Sequence, residues 1–372
     1  MDDFKSLGIN NALVKGLKAL EITKPSEIQQ KVIPAVLNKS VDIVGQAATG
    51  TGKTAAYGLP ILQAIDPSKT KIQALILCPT RELGQQIAKQ LFKYSKFLPK
   101  IFTECVYGGA HINEQIRALQ RTTHILVATP GRLIDLIKRD AVDLKQINTI
   151  VLDEADEMLS MGFKQELEEI LMQLRNVDRR WLFSATIPDD IKQIVNTYLS
   201  PEAIKFTSAD KNKINKNVTH QFLICLGHEK LYILKEFIAS QGTNRGIIFC
   251  KTKAAAQKLN DQLIAGKINV APIHGDLLQK DREKAMRAFK NKTVQILIAT
   301  DIAARGIDVE NLSFVVHYEM PAKDAYFVHR SGRTGRGGKS GLSLSIVTSA
   351  ELKQIRFFEK SLGLNFTQLR RK

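Results

Sequence analysis

Ile150-Val151-Leu152-Asp153-Glu154-Ala155-Asp156 is a short apolar run that ends abruptly in carboxylates, and its form recurs along the chain. Ala74-Leu75-Ile76-Leu77-Cys78 runs into Pro79-Thr80-Arg81-Glu82-Leu83, and Ile125-Leu126-Val127-Ala128 into Thr129-Pro130-Gly131-Arg132. Trp181-Leu182-Phe183 leads to Ser184-Ala185-Thr186, Gly246-Ile247-Ile248-Phe249-Cys250 to Lys251-Thr252-Lys253, and Ile296-Leu297-Ile298-Ala299 to Thr300-Asp301. Runs this short, without polar alternation, suit strands covered on both faces of a parallel sheet. Between them, Leu13, Leu17 and Leu20 recur at helical spacing, as do Leu167, Ile170, Leu171 and Leu174. The alternation predicts an α/β fold of mostly parallel sheets flanked by helices. Ligands of such sheets sit at the carboxyl ends of the strands, where the polar clusters fall.

The chain has 372 residues, enough for two domains. Its most polar stretch, Ser208 to Asn217, reads as a linker. It divides the chain into an N-terminal domain over 1–207 and a C-terminal domain over 218–372. As a flexible coil the ten linker residues would span about 17–19 Å. The α/β pattern starts afresh beyond it, which predicts two similar domains. The net charge of +17 is uneven. Residues 1–207 hold 26 Lys and Arg against 23 Asp and Glu, a net of +3, while 208–372 hold 28 against 14, a net of +14. A basic folded surface favours polyanions, nucleic acid ahead of an anionic membrane.

Several classes are excluded. No apolar run approaches the ~18 residues of a membrane span. The N-terminus lacks the pattern of a secretory signal. The four cysteines, Cys78, Cys105, Cys225 and Cys250, lie far apart and form no C-x-x-C pair, so neither a disulfide framework nor a zinc site is expected and a reducing cytoplasm fits.

Three clusters carry chemistry. Ala47-Ala48-Thr49-Gly50-Thr51-Gly52-Lys53-Thr54 follows the apolar stretch at Val41–Val44 and reads as a variant phosphate loop, with Ala47 where the strict pattern has glycine. Small residues let backbone N–H groups curl around a phosphate at a helix N-terminus. Lys53 would reach the β/γ-phosphates and Thr54 would help hold Mg²⁺. A carboxylate at the end of a buried strand needs a cation, so Asp153 is the partner for that Mg²⁺, with Glu154 placed to orient and deprotonate an attacking water. The third cluster, His329-Arg330-Ser331-Gly332-Arg333-Thr334-Gly335-Arg336, could be a basic turn for RNA phosphates. Beside an intact nucleotide site, arginine fingers aimed at a γ-phosphate explain it better.

Together these motifs resemble those of the DEAD-box ATP-dependent RNA helicases of helicase superfamily two, in order and spacing across essentially the whole chain. The resemblance implies two tandem RecA-like domains, with ATP and RNA held across the cleft between them. It implies that Gln29, in Pro25-Ser26-Glu27-Ile28-Gln29, reads adenine with Phe4 packing nearby, although Glu21-Ile22 stand where the family has Gly-Phe. Ser184 and Thr186 would link hydrolysis to strand separation. Asp301, Gly306 and Asp308 would join Arg333 and Arg336 on the nucleotide side. RNA would be held by Thr80, Arg81, Gly109, Thr129 and Arg132 in the first domain, and by Gln279, Arg282, Thr300 and Arg305 in the second. Thr, Gly and Arg suit sequence-independent contact with phosphate and 2′-OH.

The expected activity is RNA-stimulated ATP hydrolysis coupled to local unwinding of short duplexes or to RNP remodelling. The alternative is an ATP-gated RNA clamp with slow turnover; a DNA translocase on the same domains fits less well. Expected partners are single-stranded and short duplex RNA, with room for protein cofactors and no membrane, on a cytoplasmic monomer.

Overall fold

Ile150, Val151 and Leu152 lie in a strand with no solvent exposure, and burying each is worth about 1.5–3 kcal/mol. The computed structural model describes residues 3–47, 50–174, 177–207, 217–304, 312–335 and 339–370. The chain divides into two compact units, Met1–Lys211 and Asn212–Lys372.

The first unit contains β1 (Ile43–Gln46), β2 (Ala74–Leu77), β3 (Thr103–Val106), β4 (Ile125–Ala128), β5 (Thr149–Leu152), β6 (Arg179–Ser184) and β7 (Ile204–Thr207). They form one sheet in the order β3-β4-β2-β5-β6-β1-β7, with every pairing parallel. Helices cover both faces. One core gathers Leu13, Leu17 and Tyr57 with Trp181, and the other gathers Leu133, Leu167 and Ile170 with Leu152. The predicted helix faces are therefore core faces, although Leu20 lies past the end of its helix, Asn11–Lys18. The apolar stretch at Val41–Val44 starts its strand only at Ile43, because Asp42 is buried. Its carboxylate accepts the backbone N–H groups of Arg180 (2.7 Å) and Ser200 (2.8 Å).

The second unit contains β8 (Val218–Ile224), β9 (Gly246–Cys250), β10 (Val270–Ile273), β11 (Ile296–Thr300), β12 (Phe314–His317), β13 (Gly341–Val347) and β14 (Phe366–Gln368). Its parallel sheet has the order β10-β11-β9-β12-β13-β8-β14. That is the first order repeated strand for strand. Among the described residues no helix is long and apolar enough to cross a membrane.

Behind β13, an aromatic cluster buries two histidines. The His317 ring stacks on Phe327 at 4.6 Å, and His220 lies 5.5 Å from both Phe327 and Phe366. Neither nitrogen of His220 has a hydrogen-bond partner, and burial lowers its pKa from 6.5 to about 4. The unfolded chain therefore takes up this proton well before the folded one does, and stability falls as pH drops from 6.5 to about 4. At about 1.4 kcal/mol per unit, the site costs the second unit roughly 3 kcal/mol at the acid end. His220→Phe should flatten the acid limb of urea-unfolding curves measured between those pH values. An unchanged limb would show that the ring is accommodated when charged.

Candidate nucleotide and RNA sites

Because the sheets are parallel, the carboxyl ends of their strands lie along one edge. After β1 the chain turns through Gly50 and Gly52, both at positive φ (86° and 89°), into the helix Lys53–Ala64. A side chain at Gly52 would also run into the Gln29 amide. Gln29 is buried and braces this turn, donating from Nε2 to the Gly52 carbonyl (2.9 Å) while its Oε1 accepts from Ser26 N–H (2.9 Å). Phe4 is buried in the core that also holds Ile28 and Val32 of the following helix, Glu27–Asn38. Ala48 and Thr49 lie outside the described residues, as do Arg305, Gly306, Asp308, Arg336 and residues 208–216 of the linker.

The carboxyl end of β5 brings Asp153 and Glu154 beside Lys53. Lys53 Nζ lies 3.0 Å from Glu154 Oε1, with both side chains almost entirely buried. Burial alone would lower the ammonium pKa, but the carboxylates of Glu154 and Asp153 outweigh it and hold Lys53 above its ordinary value. Burial pushes the Asp153 carboxyl upward despite Lys53. Asp153 Oδ1 accepts from the Glu154 N–H (3.0 Å), and Oδ2 from the Tyr57 hydroxyl (2.9 Å). Glu154 itself takes a left-handed backbone (φ 52°, ψ 51°), a conformation that costs a non-glycine residue about 1–2 kcal/mol. Strain of that kind persists where the surroundings over-determine it, and it concentrates at functional sites.

Among the described residues, no group of three or more His, Cys, Asp and Glu side chains is arranged to hold a metal ion. Thr54 and Asp153 are instead two hard oxygen donors. That set fits Mg²⁺, which takes one or two protein ligands and completes its shell with phosphate and water.

Asp156, three residues beyond Asp153, is also buried. Its Oδ2 accepts from both the backbone N–H (2.9 Å) and the hydroxyl (2.6 Å) of Thr186. Its own N–H donates to Ser184 Oγ (3.2 Å), which donates to the Thr186 carbonyl (2.6 Å). The end of β5 is thereby tied to the end of β6.

The remaining first-unit candidates occupy the other half of the sheet, β3-β4-β2. Thr80 caps the helix Arg81–Tyr94 through Leu83 N–H (3.3 Å), and the Arg81 guanidinium lies 4.4 Å from the Tyr107 ring centroid. Thr129 occupies the N-cap position of Pro130–Ile137 without a side-chain cap bond, and Gly109 turns at φ 84°. Arg132 joins these elements, donating to Gln115 Oε1 (2.8 Å) and to the Ala110 carbonyl (3.0 Å).

In the second unit, Gln279 and Arg282 open the helix Gln279–Lys290. Gln279 donates to Glu283 (3.0 Å), and Arg282 to the Ala303 carbonyl (3.0 Å). Thr300 ends β11 and is buried. The arginine run divides. Arg330 is 1% exposed and pairs bidentately with Asp301 (2.5 and 2.8 Å), while its third nitrogen donates to the Glu319 carbonyl (2.7 Å). Asp301 is therefore engaged by Arg330. Arg333 is half-buried and lines a shallow pocket with Tyr326 and His329.

Tyr57, Asp156 and Arg330 are positions whose roles the sequence did not reveal. Only Tyr57 left a signal, a polar aromatic one helical turn beyond Thr54.

The family model for DEAD/DEAH box helicases matches residues 26–194, and that for the helicase conserved C-terminal domain matches 229–338. The ATP-dependent RNA helicase CshA of Limosilactobacillus reuteri is 42% identical over 358 residues, covering 96% of this chain and 71% of that protein. The DEAD-box ATP-dependent RNA helicase RhpA of Helicobacter pylori is 38% identical, covering 96% and 72%. Among solved structures, Saccharomyces cerevisiae Dbp5 bound to RNA and ADP BeF3 superposes with a TM-score of 0.91 at 31% identity, over 99% of this chain and 96% of that one. Mss116p bound to ssRNA and AMP-PNP gives 0.90 at 27% identity, over 100% and 80%. The chain, with its two RecA-like sheets, thus belongs to the DEAD-box family of ATP-dependent RNA helicases.

Proposed function

We propose that the chain hydrolyses ATP in response to RNA and uses the cycle to separate short RNA duplexes locally, without reading sequence. The observation that supports this most is the buried cluster of Lys53, Asp153 and Glu154, with Glu154 held in a strained backbone at a sheet's carboxyl edge. In this reading the backbone N–H groups from Ala48 to Thr54 receive the phosphates at a helix N-terminus. Lys53 exchanges its Glu154 partner for the β/γ-phosphates, which leaves Glu154 to orient a water and take its proton. Thr54 and Asp153 hold Mg²⁺, which when bound neutralises charge on the phosphates. The Gln29 amide keeps donor and acceptor capacity beyond its bonds to Gly52 and Ser26, which suits adenine, with Phe4 supporting it from the core.

Ser184, Thr186 and Asp156 pass the state of the nucleotide site along the sheet edge. In the same reading Arg333 and Arg336 supply the arginine fingers for the γ-phosphate, and Gly306 and Asp308 contribute to nucleotide binding. Thr80, Arg81, Gly109, Thr129, Arg132, Gln279, Arg282, Thr300 and Arg305 hold the sugar-phosphate backbone. Domains 1–207 and 218–372, joined by 208–217, engage both ligands together, in a cytoplasmic monomer open to protein cofactors.

ATP hydrolysis measured with RNA, with DNA and without nucleic acid, alongside release of a short labelled RNA strand, tests this. RNA alone should stimulate, and strand release should follow. Equal stimulation by DNA would make the chain a translocase; turnover with the RNA retained would make it a clamp.

A further inference from the structure

The helix Lys53–Ala64 buries a hydroxyl group that packing alone does not explain. Tyr57 is fully buried, and its ring lies 5.3 Å from that of Phe183 on β6. A phenylalanine would fill the same space without taking a hydroxyl out of water, which costs about 1–3 kcal/mol when no hydrogen bond replaces the lost ones. Here a bond is made, and its partner is informative. The Tyr57 hydroxyl donates to Asp153 Oδ2 at 2.9 Å. One buried oxygen thus touches the carboxylate assigned above to Mg²⁺.

The consequence for Asp153 is a carboxylate with a defined orientation. Oδ1 is held by the Glu154 N–H and Oδ2 by Tyr57, one from the main chain at the strand end and one from the neighbouring helix. Each oxygen retains acceptor capacity for a cation or its water shell. The ring that carries the hydroxyl is clamped between the helix and β6, so the bond cannot be remade elsewhere by simple side-chain rotation. Partners of this kind, which orient a metal-binding carboxylate without touching the ion, typically change metal affinity by about 10–100-fold when removed.

We propose that Tyr57 is a positioning residue for the Mg²⁺–nucleotide complex: its hydroxyl sets the orientation in which the Asp153 carboxylate meets the cation. The proposal rests on the assignment of Asp153 to Mg²⁺. It predicts a defect confined to the cation, because the ring, the phosphate loop and the adenine side are left intact when only the hydroxyl is removed.

The test is calorimetric titration of ADP into the full chain, in EDTA and at a series of Mg²⁺ concentrations, for the parent, Tyr57→Phe and Asp153→Asn. In Tyr57→Phe, ADP affinity in EDTA should match the parent. The Mg²⁺ concentration giving half of the Mg²⁺-dependent gain in affinity should rise about 10-fold. An unchanged Mg²⁺ requirement overturns the proposal. So does an equal loss of affinity with and without Mg²⁺, which would mark the hydroxyl as structural. Asp153→Asn separates this failure from that of the underlying assignment. If Asp153→Asn keeps the full Mg²⁺-dependent gain, Asp153 is not a metal residue and both readings fall. If it loses the gain while Tyr57→Phe keeps it, only the role of Tyr57 falls.

Discussion

Glu154→Gln should lower RNA-stimulated ATP hydrolysis by about 10²–10⁴-fold while ATP binding survives. Glutamine preserves the size of the side chain, so the left-handed turn at 154 and the Glu154 N–H bond to Asp153 are kept. What disappears is the carboxylate that both pairs with Lys53 at 3.0 Å and stands next to the proposed cation residue. Lys53 keeps Asp153 as a neighbouring charge, and bound phosphates replace the lost one, so nucleotide affinity should not collapse. The check is single-turnover hydrolysis with saturating RNA, together with a direct ADP- and ATP-binding measurement. Turnover at the parent rate would remove Glu154 from the reaction.

Arg330→Ala is the substitution expected to cost most in stability. It removes a guanidinium that is 1% exposed and leaves Asp301 without its bidentate partner. Breaking a buried pair from one side costs about 3–5 kcal/mol. The Asp301 side chain is 20% exposed, so water relieves part of that and the lower end is expected. For a unit of this size about 3 kcal/mol corresponds to a fall of roughly 6–12 °C in the melting temperature. The double variant Arg330→Met with Asp301→Asn should recover much of it, because no lone charge is left. A melting profile of Arg330→Ala that overlays the parent would mean that water or another group replaces the guanidinium.

How much of this was legible depended on burial. The central strands announced themselves because both faces are covered, so Ala74–Leu77, Ile125–Ala128 and Thr149–Leu152 are buried throughout. β7 alternates half-buried and exposed residues at a sheet edge, and β14 is three residues long, so neither carries an apolar run to notice. The nucleotide cluster was readable because its chemistry needs particular residue types at the ends of strands. Arg330 was not, because a run of arginines gives no sign of which one turns inward. Asp156 carries no role in the sequence reading and is locked to Thr186 in the structure.

Arg132 is held by Gln115 and the Ala110 carbonyl, and Arg282 by the Ala303 carbonyl, in the protein alone. Ordering a long, mobile side chain at an interface ordinarily costs about 0.5–1.5 kcal/mol, and here folding has already met that cost. A guanidinium immobilised in advance cannot swing to follow the varied hydrogen-bonding edges of different bases. In the proposed function such a group meets what repeats at a constant spacing in every nucleotide. The proposed indifference to base identity would then come from rigidity as much as from the choice of residue.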